Sequence, residues 1–203
     1  SSAASDVYKR QIQVPYTMEY LVRDNGTVIV TGSIDLTGTK LPELPRFGMR
    51  MELHQPYENL TYYGRGPFEN YIDRYSGAFI GRYEDKVENQ FYWYIRPQET
   101  GNKTDVRWLT LLDSGGLGVK ITGLQPISFS ALHFSPEDLD PGLTRKLQHT
   151  IDIVPQKNIF LHVDLKQRGL GGDNSWGMYP HNEYRLLDKK YTYSYMIELV
   201  KKN

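Results

Sequence analysis

Cysteine is absent from this chain of 203 residues, which excludes disulfides, thiolate nucleophiles and Cys-based zinc sites. It does not identify a compartment. Net charge is missing as well. Lys and Arg number 24 and so do Asp and Glu, so no overall field steers the protein toward nucleic acid or anionic lipid. No apolar run approaches the length that a bilayer span needs. A sustained helical stripe is lacking too. The best candidate is a single turn at Ser135-Pro136-Glu137-Asp138-Leu139, where Ser135 caps and Pro136 suits the first helical position. The five histidines, His54, His133, His149, His162 and His181, show no HExxH or paired short spacing, so no metal set is expected among them. His149 and His162 fall in strand candidates, while His181 follows Pro180 in a loop.

Aromatic residues are plentiful at 13%, including 16 Tyr and 3 Trp. Such a surplus suits twisted sheets and also carbohydrate contacts, because a ring covers the C–H face of a sugar. Residues 1–11 carry no periodicity and read as a disordered or artefactual tail. From Ile12 onward short strands alternate with turn residues, and 11 Pro and 18 Gly are dispersed among them. Tyr16–Val22 and Thr27–Leu36 flank Asp24-Asn25-Gly26, a hairpin signal because Asn and Gly tolerate positive φ. Met49–His54 alternates with period two. A second hairpin is expected from Trp108–Leu112, the turn Asp113-Ser114-Gly115-Gly116, and Leu117–Thr122. Further strands are expected at Gly77–Tyr83, Phe91–Ile95, Ile127–His133, Lys146–Val154, Ile159–Leu165 and Thr192–Val200. The pattern predicts an all-β chain, one large antiparallel β-sandwich over residues 12–203.

Three polar segments interrupt the strands. Tyr62–Arg74 holds two glycines, a proline, Arg65, Glu69, Asp73 and Arg74; it does not read as a simple strand, and the plain expectation is a loop held by ion pairs and tyrosine hydroxyls. Tyr94–Trp108 contains Glu99 and Asp105, readable as a general acid and base, although Arg96 and Arg107 offer each a structural partner. Gly169–Gly177 is the most function-like. It lacks the lysine of a phosphate-binding loop and the dinucleotide glycine spacing. Its glycines instead let the backbone turn tightly and present Trp176 beside Asp173, Asn174 and Ser175, a large ring next to short hydrogen-bonding groups. The competing reading is a tryptophan folded back as a plug over the sandwich end.

Taken in order, Tyr63-Gly64-Arg65-Gly66-Pro67-Phe68-Glu69-Asn70-Tyr71-Ile72-Asp73-Arg74, Tyr94-Ile95-Arg96-Pro97-Gln98-Glu99-Thr100-Gly101-Asn102, Phe129-Ser130-Ala131-Leu132-His133-Phe134 with Glu137-Asp138-Leu139, and Gly171-Gly172-Asp173-Asn174-Ser175-Trp176-Gly177 resemble the C-terminal domain of family-two glycoside hydrolases of the β-galactosidase type. The resemblance implies a supersandwich related in fold to galactose mutarotases. It also implies a parent enzyme hydrolysing terminal β-D-galactosides, lactose-like, with retention. Both catalytic glutamates would reside in a barrel domain, so no catalytic residue is assigned in this chain and the isolated chain is expected to be inactive. The family's Mg²⁺ and Na⁺ belong mainly to the barrel region, and no metal or cofactor is assigned here. Partners implied are a β-galactoside, the barrel and other domains, and further copies in a homo-oligomer, with neither nucleic acid nor membrane. Trp176 matches the tryptophan that stacks on substrate at the active-site mouth, with Asp173 and Asn174 shaping its loop. The family's last domain has earlier strands and an Arg-Ala-Pro loop that are not found here, which implies a sandwich incomplete at its N-terminal side. Two other readings stay open: a free-standing carbohydrate-binding module, and an aldose epimerase, which needs a His base and a Glu acid in one pocket.

Overall fold

The computed structural model describes residues 14–54, 56–140, 148–174 and 176–201; the expected tail at 1–11 lies outside them. Alternating apolar residues and turn glycines produce hairpins first. β1 (Tyr16–Val22) pairs antiparallel with β2 (Val28–Asp35). Gly26 takes φ of 82° in the turn between them, a conformation glycine adopts without a Cβ penalty, while the Asn25 side chain accepts from the Thr27 amide. The remaining strands are β3 (Arg46–Leu53), β4 (Asn59–Gly66), β5 (Phe79–Lys86), β6 (Lys103–Leu112), β7 (Leu117–Leu132), β8 (Ile159–Gln167) and β9 (Lys190–Lys201). Ser135 caps the short helix α1 (Pro136–Leu139), and the Asp138 carboxylate answers its backbone N–H.

All strand pairs are antiparallel, in the order β1-β2-β9-β7-β6-β4-β5, with β8 on β7 and β3 on β8. The architecture is all-β and consistent with a β-sandwich. β7 joins the two parts. Residues 117–123 pair with β9, whereas 128–132 pair with β8. Gly123 and Pro126 sit where the partner changes, and a proline has no N–H to give a ladder.

The core lies between these parts. Met49 and Met51 of β3, Leu161 and Val163 of β8, and Phe129 and Ala131 of β7 share one face by register. They pack with Val30, Tyr193 and Tyr195 from β2 and β9. Tyr193 Oη donates to the Val163 carbonyl at 3.0 Å, and Tyr195 Oη meets Met49 Sδ at 3.3 Å. Two buried phenols thus stitch β9 to β8 and β3.

Several expectations change. Leu117–Thr122 and Ile127–His133 form one strand, because the Gly123–Pro126 interruption bends β7 without ending it. Phe91–Ile95 is no strand; its rings pack sideways, Phe91 lying 4.4 Å from Phe134 and 4.9 Å from Trp93 by centroid. In the described part of Lys146–Val154 the chain turns at Thr150–Asp152, where the His149 amide donates to the Asp152 carboxylate. His149 therefore lies outside any strand. Tyr62–Gly66, expected not to form a simple strand, is the second half of β4.

Candidate functional site

The loop following β8 carries Trp176, and its base is clamped. Glu43 accepts from Arg168 Nη1 at 2.7 Å and from Arg185 Nε at 2.6 Å. Both guanidiniums also face the Tyr179 ring, at 5.5 and 4.9 Å. Burial works against the Glu43 carboxylate, but the bonds from Arg185 and Arg168 outweigh it and hold the group below its ordinary range. Further along, the Gly171 amide donates to Asp73 Oδ2 at 2.7 Å. A Cβ on Gly172 would strike the Met178 carbonyl, so only glycine lets the two arms of the loop approach.

At the tip, Asn174 Oδ1 accepts from the Trp176 amide at 2.9 Å, a side-chain-closed turn that sets the backbone from which the indole projects. Asp173 Oδ1 lies 2.8 Å from His181 Nε2, closing the loop on itself. That hydrogen bond raises the affinity of His181 for its proton. The indole is 92% exposed, so it is not a plug over the sandwich. Met178 and Tyr179 are exposed beside it. A shallow hollow of about 510 Å³ adjoins, lined by Asp173, Met178, Tyr179, His181 and Arg185 among others.

Asp73 ends the second assembly. There Glu69 accepts from Arg74 at 2.5 Å, Thr100 Oγ1 at 2.5 Å, the Gly101 amide at 2.8 Å and the Tyr94 hydroxyl. Burial pushes the Glu69 carboxyl up, but these hydrogen bonds and the charge of Arg74 hold it down. Buried Asn70 accepts from the Thr104 amide and hydroxyl and donates to the carbonyls of Arg65 and Phe68. The segment that opens at Tyr62 is thereby fixed onto the one that opens at Tyr94, although Tyr71 Oη, Asp73 Oδ1 and Asn102 Oδ1 are buried there without a hydrogen-bond partner among the described residues. Lys103 is buried beneath; its ammonium donates to Gln90 Oε1 and the Gly101 carbonyl, and burial pushes it down to about 8.

The partners of Glu99 and Asp105 differ from those the sequence offers. Arg46, not Arg96, holds Glu99, and Arg65 holds Asp105 at 2.5 Å. Arg107 instead donates to the Asp105 backbone carbonyl. Each carboxylate is occupied by a guanidinium, and nothing in the geometry gives the pair an acid–base arrangement. Sequence reasoning missed the group Arg46, His162, Asp164 and Gln167. A signal was present, since His162 and Asp164 alternate with Leu161 and Val163 along β8 and so share its other face. Among the described residues no cluster of three His, Asp or Glu is placed to hold a metal. No described helix is long and apolar enough to cross a membrane.

A family model described as the β-galactosidase small chain matches residues 2–197, and the chain belongs to that family. Among curated relatives, β-galactosidases of Priestia megaterium and Streptococcus thermophilus are 36% and 35% identical over 180 and 190 residues. Those alignments cover 88% and 93% of this chain but only 17% and 18% of the relatives. A β-galactosidase of Bifidobacterium adolescentis is 32% identical over 195 residues. The chain thus spans less than a fifth of the length of these enzymes and corresponds to a small domain within them.

Proposed function

We propose that this chain is the substrate-positioning and assembly domain of a retaining β-galactosidase acting on terminal β-D-galactosides, with Trp176 as a stacking platform at the active-site mouth. The observation that carries the reading is an indole with almost its whole surface free, on a loop tethered at Glu43, Asp73 and Asn174. An indole left exposed on a fixed backbone forgoes the stabilisation of burial within its own chain and keeps that apolar area free for a partner. A sugar presents a matching C–H face. The two catalytic glutamates belong to another domain on this reading, so the isolated chain carries no turnover; Mg²⁺ and Na⁺ belong with them.

The test is Trp176→Ala in the complete enzyme. A ground-state contact worth about 1–2 kcal/mol raises KM about tenfold while kcat changes little. Trp176→Phe restores part of the loss. An unchanged KM in folded Trp176→Ala enzyme would remove the platform from the proposal.

A further inference from the structure

The face of β3, β8 and β7 turned away from the core is polar, yet much of it is buried. By register Gly48, Asp164 and Ser128 form one row across it, and Arg50, His162 and Ser130 the next. Asp164 is 0% exposed, and Ser128 and Ser130 are buried with it. An outer sheet face is ordinarily solvated and needs no such cover. Buried polar groups need partners, and Arg46 reaches four side chains on or beside this face. Its Nε lies 3.0 Å from Asp164 Oδ2, its Nη1 3.0 Å from His162 Nδ1, and its Nη2 bonds Glu99 Oε1 and, at 2.9 Å, Gln167 Oε1.

A guanidinium only donates, so His162 Nδ1 accepts and the ring proton sits on Nε2. Burial, reinforced by Arg46 and Arg50, pushes His162 down to about 4, which keeps the ring neutral. Asp164 Oδ1 is left without a hydrogen bond among the described residues but lies outside the cavity beside this face. Three free capacities belong to residues that line it: His162 Nε2–H has no partner among the described residues, nor has the Ser130 hydroxyl, and Glu99 Oε2 takes no part in the Arg46 bond. Glu99, Ser130 and His162 all line one cavity of about 450 Å³, walled by Leu132, Phe134 and Phe160. That volume lies within the range of small-molecule sites. Trp176 is not among its lining residues.

We propose that this cavity is a second carbohydrate subsite, distinct from Trp176, that takes a neutral pyranose. The ligand class follows from the leftover groups. Two uncharged donors beside a carboxylate oxygen suit hydroxyls, which both give and accept hydrogen bonds. The apolar wall suits the C–H face of a sugar ring. An anion meets Glu99 and finds no imidazolium, while the remaining charged lining residues, Arg96 and Asp140, are of opposite sign.

The experiment is an NMR titration of the chain with D-galactose, D-glucose and, as an anionic control, inorganic phosphate. At least one of the two sugars is expected to shift the His162 ring and the Ser130 and Leu132 amides saturably, with phosphate leaving them unmoved. Ser130→Ala removes one hydrogen bond and weakens that response about fivefold; Trp176→Ala leaves it intact. If a variant fails to fold, the set of resonances shifted in the unsubstituted chain decides alone. Silence at these three residues with sugar on the order of 100 mM, far above millimolar affinities, overturns the subsite. So does a response confined to the Trp176 loop, or one shared by phosphate. None of these results bears on KM in the complete enzyme, so the two readings fail separately.

Discussion

Gly48 has no side chain because the Asp164 carboxylate occupies the space where a Cβ would stand. That close approach puts a carboxyl deep under the sheet, where burial raises it to about 7 against the pull of Arg46 and with the help of Glu99. The sign of the consequence follows from proton counting. Between about pH 4 and 7 the folded chain keeps a proton that the unfolded chain has released, so stability falls as pH rises through that window. His162 drifts the other way, since its unfolded form takes up a proton that the folded ring refuses. Asp164→Asn removes the first effect and leaves the second. Urea unfolding at several pH values should therefore show the wild type losing ground to the variant from pH 4 to 7, by at most about 4 kcal/mol. Parallel pH profiles would show that Asp164 ionises normally. None of this was visible in the sequence, where Gly48 precedes a strand candidate and Asp164 is one polar letter in another; only pairing β3 with β8 brings them together.

Elements were more legible than the contacts between them. Turn chemistry marked the β1–β2 hairpin at Asn25-Gly26 and the β6–β7 hairpin at Asp113–Gly116, where the Asp113 carboxylate accepts from the Leu117 amide. Period-two alternation found most strands. It failed where an aromatic run satisfies itself by ring packing, as at Phe91–Ile95, and where Gly and Pro bend a strand rather than end it, as in β7. The Trp176 loop was legible as a loop, but its clamp was not, because Glu43 lies 125 residues from Arg168. Glu43 has only 5% of its side chain exposed, although both arginines reach solvent. Removing one partner of an occluded ion pair strands the others, so Glu43→Ala should cost about 2 kcal/mol or more. Its more specific effect is local. Arg168 and Arg185 are trypsin sites, and losing their shared acceptor should speed cleavage after both while sites elsewhere in the sandwich cut at their former rate. Uniformly faster digestion would mean that the clamp holds the whole fold rather than the loop.

At the scale of the whole molecule, a contiguous apolar core is flanked by edge strands that each have one partner among the described residues. Among the described residues β1 pairs only with β2, β5 only with β4, and β3 only with β8. An unpaired edge presents free backbone donors and acceptors to any other strand. β3 is guarded by charge along its length, Arg46, Arg50 and Glu52 each lying at or near the surface. β1 has a single charge, Glu19. Tyr16, Tyr20, Leu21 and Val22 are all exposed there, and β5 exposes Phe79 and Ile80. In relatives five to six times longer, other domains are available to cover such surfaces, and the isolated chain has only itself. It should associate with rising concentration, and static light scattering across a dilution series measures this directly. Leu21→Lys places a second charge on the β1 edge, at a side chain that packs little within the chain, so it should reduce association without lowering the melting temperature. If the unsubstituted chain stays monomeric over the series, with a melt independent of concentration, the edges are already protected. Association unaffected by Leu21→Lys would direct attention to β5 instead, where Ile80→Lys applies the same test.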